Sequence, residues 1–166
     1  MKKLVLLTFF IGLNAIAQDS NSITLETPTS RPPVIVTYEH LKTYTIHSLD
    51  SLQLRNHLLE YKGTLKKCKG ILLKELLTNV PFGAASPKAV SECFIVCTAT
   101  DGYKVVFSWN ELFNSPTGEH TLILTEVNGI PTSSLKEGIA IVTPTDFATG
   151  RRYVKNLQTI RIERAK

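Results

Sequence analysis

The chain has 166 residues, of which 43% are hydrophobic and 20% are charged, and its mean hydropathy is +0.03. These values exclude a disordered chain, a collagen-like repeat and a multi-pass membrane protein, and they fit one globular domain. The formal net charge of +5 is not gathered into a stripe of Lys and Arg, so no nucleic-acid partner is predicted.

The first 17 residues have the features of a cleavable secretory signal. Lys2 and Lys3 precede an apolar run from Leu4 to Leu13, and Ala15-Ile16-Ala17 supplies small residues around a cleavage point. The run is about ten residues long, whereas a membrane-spanning helix needs about 20. Residues 1–17 are therefore interpreted as a signal peptide, with a retained anchor as the alternative. The mature protein is expected to be exported, periplasmic or secreted, with no membrane span after cleavage.

A flexible leader is predicted to follow the signal. Residues 18–33, QDSNSITLETPTSRPP, are polar, contain three prolines and show no apolar periodicity. Ordered structure is expected from Val34, where VIVTY is typical of a strand. Residues 34–166 are assigned to a single domain.

The segment between Tyr44 and Leu77 combines strand and helix patterns. Tyr44–Leu49, YTIHSL, alternates as a strand does, whereas residues 52–61 fit either a strand or a short helix. Gly70 is predicted to open a helix over ILLKELL, whose apolar residues would form one face, and Pro81 would end it.

The second half of the chain is richer in strand patterns. CFIVCTA and YKVVFSW flank Thr100-Asp101-Gly102, and Asp-Gly between apolar runs predicts a hairpin with a type I′ turn. Ser108 is expected to cap a helical turn over WNELF. Strand patterns recur in TLILTEV, IAIVTP and NLQTIRIE. About seven strands and a few short helices, without regular strand–helix alternation, predict a mixed α+β domain with a mainly antiparallel sheet.

The three cysteines are too few for a disulfide scaffold, and their number is odd. On one strand, Cys93 and Cys97 would have Cα atoms about 13 Å apart, beyond the ~7 Å that a disulfide allows. These two are predicted to be buried, inert thiols. Cys68 lies among lysines in LKKCKG, which would favour its thiolate and make it the reactive cysteine.

Three strings carry a family resemblance: Lys69–Leu77 (KGILLKELL), Thr100–Leu112 (TDGYKVVFSWNEL) and Val142–Glu163 (VTPTDFATGRRYVKNLQTIRIE). In this order they resemble the molybdopterin-binding domain of sulfite-oxidase-type oxidoreductases, most closely its short, exported, single-domain members. The resemblance covers nearly the whole mature chain. It implies a molybdopterin-domain-like α+β fold and Mo-molybdopterin as the family's cofactor.

The resemblance also indicates what chemistry to expect. Active relatives hold molybdenum through a cysteine thiolate in a loop well before the glycine-leucine helix, and a soft thiolate suits that metal. The corresponding stretch here, residues 43–65, contains no cysteine. The chain is therefore interpreted as a non-catalytic member that binds a small anionic ligand or an envelope protein partner. The alternatives are a genuine molybdenum-cofactor oxidoreductase subunit, with Cys68 or another group as an atypical ligand, and an unrelated structural domain of the envelope.

One cationic patch is the candidate cofactor- or ligand-binding site. Arg151, Arg152 and Lys155 follow Gly150, and Lys155 matches the family lysine that lies near the cofactor. Arginine offers a planar fork to phosphate or carboxylate, and a turn can add backbone donors. The alternative is a solvated strand edge, where cations discourage edge pairing. No catalytic residue and no metal ligand is predicted, because no nucleophile, base and orienting group, and no ligand spacing, occur together.

Overall fold

The computed structural model describes residues 21–28, 33–78, 80, 83 and 86–165. The strands are β1 (Ser22–Glu26), β2 (Val34–Thr37), β3 (His47–Arg55), β4 (Tyr61–Leu72), β5 (Cys93–Ala99), β6 (Lys104–Ser108), β7 (Leu122–Val127), β8 (Ile130–Pro131), β9 (Ala140–Val142) and β10 (Leu157–Arg164). The short helices are α1 (Tyr38–Leu41), α2 (Leu73–Thr78), α3 (Pro87–Val90) and α4 (Trp109–Phe113), with 3₁₀ turns at Pro116–Glu119, Thr132–Ser134 and Thr149–Arg152.

These strands form two sheets. The first sheet has the order β2-β1-β10-β5-β6, and the second has the order β3-β4-β7-β8, with β9 paired to the start of β7. Among the described strands, β1 and β10 form the one parallel pair. The protein is therefore a mixed α+β fold with mainly antiparallel sheets and a few short helices, as predicted.

The second sheet is the middle layer of the molecule. On β7, Ile123 points into the main core beneath the first sheet, while Leu122 and Leu124 point into a smaller core on the opposite side. This two-sided burial explains why TLIL and IAIV are continuous apolar runs rather than alternating ones. Helices α2 and α4 complete the main core, and the smaller core is closed by Leu135 and Tyr153.

The predicted hairpin is confirmed, although its turn differs from type I′. Strands β5 and β6 pair from Thr98↔Lys104 onward, and Gly102 is at φ +85°. The Gly102 N–H donates to the Ala99 carbonyl at 3.0 Å, and the Ala99 N–H donates to the Tyr103 carbonyl at 2.9 Å. These bonds define a three-residue loop with glycine in the left-handed position. Ser108 caps α4 as expected, because its Oγ accepts the Glu111 N–H at 3.0 Å.

The prediction of a flexible leader over residues 18–33 is wrong for its middle part. Strand β1 is buried on one side through Ile23 and Leu25, and it pairs with both β2 and β10. Two apolar residues alternating with polar ones are enough for a strand when a sheet edge is available to pair with. The predicted signal peptide, residues 1–17, lies outside the described residues, as do residues 18–20 and 29–32.

The helix predicted from Gly70 begins later than expected. Residues 70–72 continue β4 and pair with β7, and α2 begins at Leu73. Gly70 is needed for this pairing, because a Cβ there would lie 2.3 Å from the Ile123 carbonyl oxygen. Of the two interpretations of residues 52–61, the structure takes the strand, since β3 ends at Arg55 and β4 begins at Tyr61. No helix in the described residues is long and apolar enough to cross a membrane.

Candidate functional site

Arg152, the central member of the predicted cationic patch, is held by carboxylates within the fold. Its Nε donates to Asp146 Oδ2 at 2.7 Å, a second guanidinium nitrogen also contacts Asp146, and a third donates to Glu111 Oε1 at 2.6 Å. The guanidinium lies 4.6 Å from the centre of the Phe107 ring. Hydrogen bonding to Asp146, followed by that to Glu111, raises the pKa of Arg152 further above its already high value. Arg152 therefore ties the last 3₁₀ turn to α4 and the core.

Arg151, the next residue along the same turn, lies on the surface. Its carbonyl accepts the Tyr103 hydroxyl, while no carboxylate of the described residues lies within ion-pair distance of its side chain. Arg151 borders a shallow depression together with Phe147 and Arg152. An exposed guanidinium there faces solvent rather than an enclosed site.

Lys155 occupies a different location from the two arginines. Its Nζ lies 3.8 Å from Glu137 Oε1 and 5.2 Å from the centre of the Tyr153 ring, and the side chain is half exposed. It borders a cleft that neither arginine lines. The three residues predicted as one patch are thus divided between two surfaces.

The cleft beside Lys155 has a volume of about 200 Å³. Leu54, Leu65 and Leu135 provide its apolar lining, and Lys155 and Glu137 provide its charges. The β7–β8 turn also borders it, and there Asn128 Oδ1 accepts the Lys66 N–H at 3.1 Å, which fixes the turn against β4. No sequence motif marks Glu137, which lies in the loop after the Asn-Gly turn.

Tyr153 lines the same cleft. Burial, with smaller effects of Glu137 and Cys68, raises the pKa of Tyr153 to about 12. The hydroxyl therefore stays protonated at neutral pH, and it can donate a hydrogen bond to an anion. Lys155 and Tyr153 together give the cleft one cation and one neutral donor.

The prediction that Cys68 is an exposed, reactive thiol is wrong. Its side chain is only 1% exposed, and burial, followed by the nearby Glu126, raises the pKa of Cys68 to about 11. The lysines beside it in sequence lie at the surface, whereas its own side chain enters the smaller core. Burial also raises the pKa values of Cys93 and Cys97, and all three cysteines are free, as predicted for these two.

These residues do not fit Mo-molybdopterin. The resemblance implies a thiolate ligand that reaches an open pocket, whereas the Cys68 thiol is protonated and covered. The depression outside Cys68 is bordered by Asp50 and Glu126 as well as by Lys67 and Lys69, and Lys69 is paired with Glu126 at 3.0 Å, so it offers no excess of positive charge to an anionic cofactor. Arg152, the best geometric candidate for a phosphate, is already engaged by two carboxylates. The described residues also contain no group of three or more His, Cys, Asp or Glu placed to hold a metal ion.

A comparison with protein-family models finds no match to the chain, and a comparison with curated proteins finds none of significant similarity. The resemblance to sulfite-oxidase-type domains therefore depends on the three sequence strings alone.

Proposed function

We propose that the protein is an exported, non-catalytic binding domain of the molybdopterin-domain type that holds a small anionic ligand in the cleft beside Lys155. The observation that carries this proposal is that Lys155 and Tyr153, whose charged and hydroxyl groups can bind an anion, both line a cleft with an apolar side. Such a cleft can take a ligand with one charged and one apolar end.

The volume and lining of the cleft limit the size of the ligand and the chemical groups that it can carry. Drug-sized ligands occupy pockets of roughly 300–1,000 Å³, whereas this cleft encloses about 200 Å³. An apolar group of a few carbon atoms would contact Leu54, Leu65 and Leu135. A carboxylate or phosphate on that group would receive charge from Lys155. Glu137 competes for the same ammonium, but the two atoms are 3.8 Å apart and both side chains are about half exposed, so this ion pair opens easily.

The test uses benzoate as a small carboxylate with an apolar ring, and benzamide as its uncharged counterpart. Titrations followed by amide chemical shifts are expected to show benzoate shifting Gly138 and Tyr153 at lower concentration than benzamide. Lys155→Gln should weaken benzoate binding by roughly fivefold or more, since it removes one exposed charge contact. Glu137→Gln should strengthen it, because the competing carboxylate is lost.

Arg151→Gln serves as the matched control, because it removes a surface cation that does not line the cleft. It should leave benzoate binding unchanged. Equal weakening by Arg151→Gln and Lys155→Gln would point to nonspecific attraction by surface charge and would contradict the proposal. So would benzoate shifts that appear away from the cleft.

The export and cofactor parts of the proposal have their own measurements. Mass spectrometry of the protein recovered from the cell envelope or medium should give an amino terminus at Gln18, whereas a retained Met1 would contradict cleavage of the signal. Metal analysis of the same material should find no stoichiometric molybdenum. One equivalent of molybdenum, lost in Cys68→Ser, would replace the non-catalytic proposal by the oxidoreductase alternative.

A further inference from the structure

Four large apolar side chains are exposed at one end of the molecule. Leu58 is 64% exposed, Leu59 51%, Tyr61 60% and Phe147 88%. The first three lie in or beside the turn that joins β3 to β4. We propose that these four residues, the apolar tip, dock the protein onto an anionic lipid surface.

The turn displays its leucines in a fixed arrangement. Asn56 Oδ1 accepts the N–H groups of Leu58 and Glu60 at 2.9 and 3.0 Å. The Asn56 N–H donates to the Glu60 carbonyl at 3.1 Å, and the Leu59 N–H donates to the Asn56 carbonyl at 3.0 Å. Arg55 closes the turn from outside by donating to the Leu59 carbonyl at 3.0 Å. Leu58 and Leu59 are therefore displayed on a preorganised backbone, which lowers the entropy lost on docking.

Leu59 occupies a backbone conformation that does not favour leucine. Its φ is +62°, in the left-handed region that glycine and asparagine adopt more readily. The side chain is half exposed, so packing within the fold does little to offset this strain. Contact between the Leu59 side chain and another surface would account for a leucine at this strained position.

Phe147 is brought to the same end by the 3₁₀ turn that follows it. Thr149 Oγ1 accepts the Arg55 N–H at 2.9 Å and donates to the Gln53 carbonyl at 2.6 Å. Phe147 is two residues before Thr149, so its Cα lies within about 7 Å of that of Thr149. Two segments far apart in sequence thus both reach the end of the β3–β4 hairpin, and each exposes large apolar side chains there.

The charges around the apolar tip favour an anionic surface. No carboxylate of the described chain lies within ion-pair distance of Arg55 or Arg151. Glu60 is 3.0 Å from Lys62, so these two side chains offset each other. The remaining excess of positive charge complements lipid phosphates, while the apolar side chains can enter the region below them.

The shape of the tip favours a lipid surface over a protein partner. From Tyr61 to Leu65, β4 pairs with β3 alone among the described strands, so this end is a two-stranded ribbon. A stable protein interface buries about 800 Å² on each partner, and a narrow turn does not present a face of that size. A small protruding group of apolar and cationic side chains is sufficient for insertion at a membrane interface.

The experiment measures sedimentation of the exported, processed protein with vesicles of phosphatidylglycerol and phosphatidylcholine in equal parts. We expect binding that weakens as NaCl is added and that is much lower on phosphatidylcholine alone. The variant with Leu58→Ser, Leu59→Asn and Phe147→Ser should bind at least roughly tenfold more weakly, because it loses three apolar side chains at the interface. Asparagine is used at residue 59 because it tolerates positive φ.

Ile35→Thr is the matched control. Ile35 is exposed to a similar degree, 55%, but lies on β2 in the other sheet, so its replacement should leave vesicle binding unchanged. Thermal unfolding of both variants checks that they fold. The proposal is overturned if the processed protein does not sediment with phosphatidylglycerol vesicles, or if the triple variant and Ile35→Thr bind as well as each other. Self-association that the triple variant abolishes, without vesicle binding, would instead assign the apolar tip to a second copy of the chain.

Discussion

The face of the first sheet and the end of the β3–β4 ribbon place large apolar side chains in opposite environments. Phe107 and Ile160 are fully buried between the two sheets, whereas Leu58 and Phe147 are among the most exposed residues of their kind in the described chain. Burial of apolar area stabilises the fold, and exposure does not. The comparison indicates that the first region determines stability and that the second is available for contacts with other molecules.

The cations of the predicted patch show the same contrast on a smaller scale. Arg152 is engaged by Asp146 and Glu111 and is only 20% exposed, whereas Lys155 is half exposed and has one distant partner. Neighbours in sequence therefore serve different purposes. One holds a turn in place, and the other borders a cleft.

The largest effect is expected from a pair of phenylalanine replacements. Phe107→Ala should lower the free energy of unfolding by about 3–5 kcal/mol, because it opens a cavity in the main core and removes the ring beneath Arg152. Phe147→Ala should change it by less than about 0.5 kcal/mol, since that side chain is exposed. Urea unfolding of both variants measures the difference. Similar losses would show that Phe147 packs within the fold.

The next largest difference in stability is expected between replacements of Arg152 and Lys155. Arg152→Gln should destabilise the protein by about 1–3 kcal/mol, because it leaves two partly buried carboxylates without their partner. Lys155→Gln should stay within about 0.5 kcal/mol of the wild type. The same urea measurements test this, and a large loss from Lys155→Gln would make Lys155 a structural residue rather than a ligand-binding one.

Alkaline pH should lower the free energy of unfolding through Cys68 and Tyr153, which pack in the smaller core. Burial raises the pKa of Cys68 from 9.0 to about 11 and that of Tyr153 from 10.0 to about 12. The unfolded chain releases these protons at lower pH, so their contribution to stability is complete below pH 9 and is lost progressively between pH 9 and 12. Urea unfolding across this range should show the decline, and Cys68→Ala should reduce it between pH 9 and 11.

The smallest effect concerns Leu59. Leu59→Asn should raise the free energy of unfolding by up to about 1 kcal/mol, because asparagine adopts the left-handed conformation at lower cost. Leu58→Ser is the control and should be near neutral, since Leu58 does not have positive φ and is well exposed. Thermal unfolding compares them. A loss of stability in Leu59→Asn would mean that this leucine packs within the fold and would weaken the case for the apolar tip.

Local sequence patterns predicted those elements whose partners are close in sequence. The β5–β6 hairpin has an Asp-Gly turn and strands whose alternation matches their burial, so sequence alone located it. Strand β1 could not be found in this way. Its decisive partner, Leu25↔Ile160, lies at the other end of the chain, and Pro28 beside it suggested a loop. Sequence alone could not place the strand end after Gly70, because a strand buried on both faces has no period that distinguishes it from a helix.

The candidate site was predicted less well because it depends on side-chain direction. Adjacent cations in Arg151-Arg152 suggested a shared site, but Glu111, forty-one residues away, draws Arg152 inward. Lysines around Cys68 suggested a reactive thiolate, yet the strand turns them outward and buries the sulfur. The left-handed conformation of Lys67, at φ +47°, interrupts the regular alternation of buried and exposed side chains in β4, and no sequence pattern predicts it.

The position of β10 has a consequence for how the protein is made. This strand, Leu157–Arg164, lies between β1 and β5 and is the last described strand to leave the ribosome. Neither the amino-terminal strand pair nor the β5–β6 hairpin can join the first sheet until β10 arrives. During synthesis the growing chain therefore cannot close its main core until β10 has been made.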